Sequence, residues 1–234
     1  TTELKRALAS QQNELSMVYQ PKVDLRTMKV CSMEALIRWN NSALGFVPPD
    51  EFITIAEQAG LIEQVTTWVM QQTIADLAYF RAKGYGFTVA MNLSTQDIQN
   101  KVLLRKLVAL LTQEGLSPEA LELEITESDL VADASLAIEN LNELTARGFH
   151  FAIDDFGTGY SSLAYLKNLP VTTIKIDKSF ILALASDEND QQIVHTVLSL
   201  ASVFNLKVVA EGVEDVASLE ILKDWGCDIV QGYY

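Results

Sequence analysis

The alternation of short strand-like runs with longer amphipathic runs is the feature that most restricts how this chain can fold. Eight runs are rich in β-branched or apolar residues, at 16–25, 29–39, 87–94, 120–126, 150–155, 172–177, 206–212 and 227–233. Helical patterns occur near 50–82, 95–114, 133–147, 161–167, 188–204 and 214–224. Repeated strand and helix units predict a mostly parallel sheet. Eight strands in 234 residues favour a barrel over an open sheet, because a (β/α)8 barrel typically needs about 250 residues.

One connection departs from the regular pattern. Only residues 26–28 separate the first two strands, which is too short for a parallel crossover, so we expect these strands to pair antiparallel. The sequence has no Gly/Ser linker, repeat or low-complexity segment that would divide it. We therefore expect a single domain.

Composition limits the class of protein and its partners. With 49% hydrophobic and 21% charged residues, the chain reads as an ordinary globular domain. The longest apolar region, 193–210, is interrupted by polar residues and predicts a core helix followed by a strand. Because Cys31 and Cys227 form no CxxC pair and no signal peptide precedes them, a reducing cytoplasm fits best. Two cysteines and two histidines also argue against a zinc site.

The net charge of −14 argues against binding of a nucleic-acid polymer or of an anionic membrane surface. Solvated helix surface explains most of this acidity. An anionic substrate remains compatible with the sequence if cations screen it locally.

Polar residues collect where the predicted strands end, which is where barrel enzymes place their active sites. In strand order they are Glu34 to Arg38, Asn92, Glu124 and Glu127, Asp154 and Asp155, Lys175, Glu211 and Gln231. Each residue alone has a structural explanation, such as a helix cap, a turn or a rim lysine. Together they predict more, because burying several carboxylates without cations costs several kcal/mol per ion. Oxygen ligands of this kind select Mg2+, Mn2+ or Ca2+.

The adjacent carboxylates of Asp154 and Asp155 suggest a pair of ions, since one aspartate could bridge both while the other binds only the second. Paired ions generate a hydroxide and hold the attacking and leaving oxygens of a phosphoryl displacement, and Lys175 could steady the nucleophile or the developing negative charge. GTGYSS at 157–162 lacks the third glycine of GxGxxG, and neither GxxxxGK[ST] nor GxSxG occurs. Covalent hydrolase chemistry is therefore a poor fit.

A set of ordered motifs spans nearly the whole chain. They are YQPKVDL (19–25), MEALIRW (33–39), PPDEFITIAEQAGLI (48–62), MNLS (91–94), LELEITES (121–128), AIDDFGTGYSSL (152–163), IKIDKSF (174–180), VAEGVE (209–214) and QGYY (231–234). This set resembles the EAL-domain phosphodiesterases that hydrolyse cyclic di-GMP, a family named after the motif that stands here at Glu34, Ala35 and Leu36. The resemblance implies a modified TIM (β/α)8 barrel whose first strand runs antiparallel, and two bound ions, Mg2+ or Mn2+.

The resemblance also implies roles for individual residues. Glu34, Asn92, Glu124 and Asp154 would bind the first ion, and Asp154, Asp155 and Glu211 the second. Lys175 and Gln231 would hold the attacking water, so that Lys175, Glu211, Gln231 and Glu34 form the catalytic set. Gln20, Leu36 and Arg38 would contact substrate, and Glu127 would support the loop after the fifth strand.

The implied reaction is hydrolysis of cyclic di-GMP to linear pGpG by two-metal in-line attack of activated water, with Ca2+ as an inhibitor. The alternative is a catalytically weak or inactive cyclic di-GMP receptor. A third interpretation is proton abstraction from a carboxylate substrate, with Lys175 as the base.

We expect residues 1–234 to be one EAL phosphodiesterase domain, cytoplasmic, taken from a longer multidomain protein and lacking its final helix. TTELKRALASQQ at the start resembles a helix that continues from a sensory or diguanylate-cyclase-like domain. The resemblance also implies a homodimer through the loop after the fifth strand. The sequence predicts no direct membrane contact by this domain and leaves open whether the parent protein is membrane-anchored.

Overall fold

The computed structural model of the protein describes residues 1–9, 14–127, 134–159 and 166–234, apart from the side chains of 134–136. Nine strands occur in these ranges: β1 (Leu15–Asp24), β2 (Lys29–Asn41), β3 (Gly45–Val47), β4 (Thr88–Asn92), β5 (Leu121–Thr126), β6 (His150–Phe156), β7 (Thr173–Ile176), β8 (Lys207–Val213) and β9 (Ile229–Gly232). The helices are α1 (Thr2–Ala9), α2 (Pro49–Gln58), α3 (Ile62–Ala82), α4 (Thr95–Gln99), α5 (Lys101–Gln113), α6 (Ala134–Thr145), α7 (Glu188–Phe204) and α8 (Val216–Asp224).

Eight of these strands close into a barrel. The sheet order is β1-β9-β8-β7-β6-β5-β4-β2-β3, and an additional pairing of β1 with β2 completes the ring, leaving β3 as an added edge strand. The strand β1 runs antiparallel to β2 and to β9, whereas the pairs from β2/β4 round to β8/β9 are parallel. The predicted barrel and its antiparallel first strand are confirmed.

Strand alternation gives this barrel two different faces. On β5, Leu121, Leu123 and Ile125 are buried beneath the surrounding helices. Glu122 and Glu124, which occupy the intervening positions, point to the barrel interior. TIM-barrel interiors are usually packed with branched apolar side chains. The charged residues inside this barrel therefore mark the region in which a functional site is expected.

Several predicted boundaries are wrong. The predicted helix 50–82 is two helices, because the chain turns at Gly60, which has a φ of +65°. The predicted helix 95–114 breaks at Asn100, whose side chain caps α5 by accepting from the Val102 and Leu103 amides. The strand β3, which pairs with the end of β2, was not predicted. Most of the predicted helix at 161–167 lies outside the described residues, as does residue 133.

Both cysteines are free thiols, Cys31 on β2 and Cys227 just before β9. In the part of the chain that the structure describes, no helix combines the length and the apolar composition needed to cross a bilayer.

Candidate metal centre and active site

The carboxyl-terminal ends of the parallel strands bring the predicted polar residues into one cluster. Glu34 comes from β2, Asn92 from β4, Glu124 from β5, Asp154 from β6, Lys175 from β7, Glu211 from β8 and Gln231 from β9. Residue pairing across neighbouring strands sets them at similar heights, for example Asn92 opposite Glu124 and Glu211 opposite Gln231. The predicted convergence is thus present in the fold.

Lys175 lies at the centre of this cluster and is fully buried. Its Nζ lies 2.7 Å from Glu124 Oε2, 2.8 Å from Glu211 Oε1, 2.9 Å from Asp154 Oδ2 and 3.4 Å from Glu34 Oε2. A rim lysine with its amine in water would show none of these contacts. The ammonium instead compensates the charge of four converging carboxylates.

The acidic residues form two overlapping groups that could each hold a cation. Glu34, Glu124 and Asp154 form one, and Asp154, Asp155 and Glu211 form the other, each with one oxygen per residue within 4.8 Å of the others. Asp154 belongs to both. The donor set consists of carboxylate oxygens, to which Asn92 adds an amide, and this is the chemistry that Mg2+ and Mn2+ prefer. The residues present therefore fit a pair of hard divalent ions.

Two amides fix the orientation of Glu34. Asn92 Nδ2 donates to Glu34 Oε1 at 3.1 Å, and Gln231 Nε2 donates to Glu34 Oε2 at 2.7 Å. The Gln231 amide also donates to Gln20 Oε1 at 3.1 Å. Among the described residues, the buried Oε1 of Gln231 has no hydrogen-bond partner. A buried acceptor of this kind is commonly satisfied by ordered water.

The backbone at Asp155 explains how two consecutive aspartates reach the same site. In a regular strand, successive side chains point to opposite faces of the sheet. Here Asp155 has a φ of +53°, and the register between β6 and β7 shifts between Ile153 and Phe156. The Asp155 amide turns back to donate to Asp154 Oδ1 at 2.9 Å. This break in alternation returns the second carboxylate to the cluster.

Burial and charge separate the pKa values of the cluster. Burial, reinforced by neighbouring carboxylates, raises the pKa of Glu34 and of Asp154, and raises that of Glu211 to about 8. Burial also acts on Glu124, but the ammonium groups of Lys175 and Lys22 outweigh it and lower the Glu124 pKa to about 2. Burial acts to lower the pKa of Lys175, yet the surrounding carboxylates raise it well above the usual value, so Lys175 is a cation at neutral pH.

The other predicted residues lie around the cluster. Leu36 and Arg38 line an adjoining cleft of about 690 Å³ that extends to α2 and α3 and also contacts Lys178. The Arg38 guanidinium donates to the Ile37 carbonyl oxygen at 2.9 Å. Gln20 joins the site through its contact with Gln231.

Glu127 does not join the acidic cluster but contacts the loop after β6. Its Oε2 accepts from the Gly157 amide at 2.9 Å, and a Cβ at Gly159 would lie 2.9 Å from its Oε1. Residues 160–162 of the predicted DFGTGYSS loop lie outside the described residues.

Sequence reasoning missed two interior residues, Lys22 and Glu122. Lys22 Nζ donates to Glu124 Oε1 at 2.5 Å and to Glu122 Oε1 at 3.4 Å. A signal was present in the alternation, since Lys22 is in phase with Gln20 on β1 and Glu122 is in phase with Glu124 on β5.

Comparison with known proteins adds the family. The family model described as EAL domain matches residues 1–234. Two relatives come from Pseudomonas aeruginosa. The cyclic di-GMP phosphodiesterase PA2567 is 40% identical over 232 residues, which cover 99% of this chain and 39% of the relative. The bifunctional diguanylate cyclase/cyclic di-GMP phosphodiesterase MucR is 39% identical over 232 residues, which cover 99% of this chain and 34% of the relative. The chain therefore spans about two fifths or less of the length of these relatives.

Solved structures share the fold. A structure described as PaMucR phosphodiesterase in complex with c-di-GMP has a TM-score of 0.93 at 39% identity and covers 99% of this chain and 93% of its own. The EAL domain of FimX from Pseudomonas aeruginosa, bound to c-di-GMP, has a TM-score of 0.89 at 29% identity, covering 100% and 93% of the two chains.

Proposed function

Because the chain belongs to the EAL domain family, as its motifs predicted, we propose that it hydrolyses cyclic di-GMP to linear pGpG, with two divalent ions and in-line attack of activated water. The observation that carries this proposal is the pair of overlapping carboxylate groups that share Asp154 around one buried lysine. The names of PA2567 and MucR supply the substrate class.

Glu34, Asn92, Glu124 and Asp154 would hold the first ion, and Asp154, Asp155 and Glu211 the second. Mg2+ or Mn2+ suits these oxygen donors. Once bound, such ions supply Lewis-acid stabilisation of the phosphoryl oxygens and lower the pKa of a bound water. Because Asn92 donates to Glu34 through its Nδ2, its amide oxygen would be the atom that binds the ion.

The protonation state of Lys175 defines its role. Four carboxylates surround its ammonium and raise the pKa of Lys175 well above the usual value, which suits Lys175 to donate hydrogen bonds and not to accept a proton. It acts as a donor that orients the attacking water and stabilises negative charge as phosphorus is attacked. The same property counts against a carbon-acid mechanism that would use Lys175 as the base.

Three residues would position the dinucleotide. Arg38, at the cleft beside the cluster, suits a phosphate because a guanidinium presents planar paired donors. Leu36 lines the same cleft, and Gln20 would approach a guanine edge. Gln231 would hold the attacking water through its buried Oε1.

The test is turnover of cyclic di-GMP by the purified chain with Mg2+ or Mn2+, with the linear product measured by chromatography. We expect pGpG to form with either ion and Ca2+ to suppress it, because the larger, looser coordination shell of Ca2+ fits this chemistry poorly. Binding without product would establish the receptor alternative. Equal rates with Ca2+ and Mg2+ would contradict the mechanism.

A matched pair of variants tests the ligand assignment. Glu34→Ala should abolish turnover. Glu143→Ala should leave it unchanged, because it removes an exposed carboxylate on α6 that pairs with Arg147 just after the helix. Unaltered turnover in Glu34→Ala would refute the metal assignment.

We further propose that the domain is cytoplasmic, works within a longer protein with an upstream sensory or diguanylate-cyclase-like domain, and dimerises through the loop after β6. The greater length of PA2567 and MucR supports a longer parent protein. Sedimentation at several concentrations, with and without ligand, tests the dimer, and a monomer throughout would refute it.

A further inference from the structure

A second buried lysine, Lys22, lies inside the barrel beneath the acidic cluster. On β1, Gln20 is opposite Glu34 of β2, and Lys22 is opposite Ser32, two residues further from the carboxyl end of β2. The Lys22 side chain is 1% exposed. A lysine is rarely buried to this extent unless it is paired.

The contacts of Lys22 converge on one carboxylate. Its Nζ donates to Glu124 Oε1 at 2.5 Å, while Lys175 donates to Glu124 Oε2 at 2.7 Å. Glu122 holds Lys22 from the other side, at 3.4 Å, and its second oxygen accepts from Thr173 Oγ1 at 3.1 Å. Each oxygen of Glu124 thus accepts from a different ammonium. The Lys22 ammonium is also held by Glu122 on β5, which in turn is bonded to Thr173 on β7.

We propose that Lys22 is a positioning residue that holds Glu124 from below, so that this carboxylate presents Oε2 to the first metal site. The inference rests on the proposed function, in which Glu124 is a ligand. Lys22 contacts Oε1 of Glu124, whereas Lys175 contacts Oε2, and the hydrogen bond to Glu124 links Lys22 to the proposed metal ligands. Loss of partners that orient metal ligands typically weakens metal affinity or activity by about 10- to 100-fold.

Charge alone predicts a different result from positioning. A buried ammonium repels a divalent cation, so its removal by itself should tighten metal binding. The double variant Lys22→Met/Glu122→Gln removes one positive and one negative charge and leaves the net charge of the interior unchanged. Any loss of metal affinity in this variant therefore reports the lost support of Glu124.

The experiment measures Mn2+ binding by the 234-residue chain from the electron paramagnetic resonance signal of free Mn2+. We expect the double variant to bind Mn2+ about 10- to 100-fold more weakly than the parent chain. The control Glu122→Gln keeps the contact of Lys22 with Glu124 and should lose less Mn2+ affinity than the double variant. Affinity within twofold of the parent, or equal losses in the double variant and the control, would overturn the proposal.

A measurement on the unsubstituted chain covers the case in which the double variant fails to fold. The Lys22 ammonium should give a slowly exchanging 15N resonance, and Mg2+ should leave that resonance protected because Lys22 stays on Glu124. Loss of this protection with Mg2+ would overturn the proposal. If the unsubstituted chain binds no Mn2+, the proposed metal site itself fails, which is a distinct outcome.

Discussion

Replacing Lys175 by Met tests whether one buried cation holds the carboxylate cluster together. Methionine has a similar length but carries no charge, so the change removes the ammonium while filling most of its volume. The ammonium contacts four carboxylates at 2.7 to 3.4 Å. After the substitution, Lys22 still contacts one carboxylate of the cluster, that of Glu124.

The expected magnitude follows from burial. Removing one partner of a buried ion pair costs about 3 to 5 kcal/mol, because the remaining charge is left uncompensated. For a domain of this size, each kcal/mol shifts the unfolding midpoint by roughly 2 to 4 °C, so the midpoint should fall by roughly 6 to 20 °C without metal. The loss should shrink as the pH falls, because the carboxylates then neutralise themselves by taking up protons.

Thermal unfolding in EDTA and in excess Mg2+ measures this effect. Mg2+ should raise the midpoint of Lys175→Met more than that of the parent chain, since the ion binds only the folded state and replaces the missing charge. The matched control is Lys101→Met. Its 3.2 Å contact with Glu139 joins side chains that are 45% and 69% exposed, so it should cost about 1 kcal/mol or less. If Lys175→Met lowers the unfolding midpoint in EDTA by no more than Lys101→Met does, the reasoning is refuted.

Three further substitutions test other parts of the structure. Burial acts to raise the pKa of Glu14, but hydrogen bonds from its neighbours lower this pKa to about 2. The parent chain should therefore be more stable than Glu14→Gln above about pH 4.5, and this difference in unfolding free energy should vanish near pH 2. Urea titrations of both chains across this pH range measure the difference. Gly212 and Gly226 both have a positive φ, but a Cβ would lie 2.6 Å from the Cβ of Lys178 at position 212 and would meet no atom within 4 Å at position 226. Gly212→Ala should therefore lose about 1 to 3 kcal/mol more unfolding free energy than Gly226→Ala. Equal losses would contradict this prediction. Glu127→Ala should leave the Gly157 amide without its acceptor, which should lower the unfolding free energy by about 1 to 3 kcal/mol and weaken Mn2+ binding. Unchanged Mn2+ affinity would show that the loop after β6 does not affect the metal site.

Local sequence was sufficient for most of the fold. The eight barrel strands follow from runs of β-branched and apolar residues, and the antiparallel pair follows from the short turn at 26–28. The strand β3 escaped prediction because it has three residues and gains its hydrogen bonds from β2. The break at Asn100 escaped because apolar periodicity continues through it, although its side chain is an N-cap.

The cluster was predictable to the extent that barrel geometry decides it. Residues at strand ends such as Glu34 and Asp154 must meet once the barrel is assumed. The contact of Lys22 with Glu124 spans 102 positions in sequence and depends on the register of the closing strand. No local pattern carries that information. The complete burial of Lys175 likewise depends on neighbours from four other strands.

The left-handed backbone at Asp155 also restricts which residues this position can tolerate. Asparagine and aspartate adopt a φ of +53° more readily than most other non-glycine residues, so the backbone and the carboxylate cluster favour the same amino acid for separate reasons. Glycine would preserve the turn and lose the charge, whereas glutamate would preserve the charge and disfavour the turn. A substitution matrix that scores aspartate and glutamate as near equivalents would therefore misjudge position 155. Fewer amino acids are tolerated there than charge alone suggests.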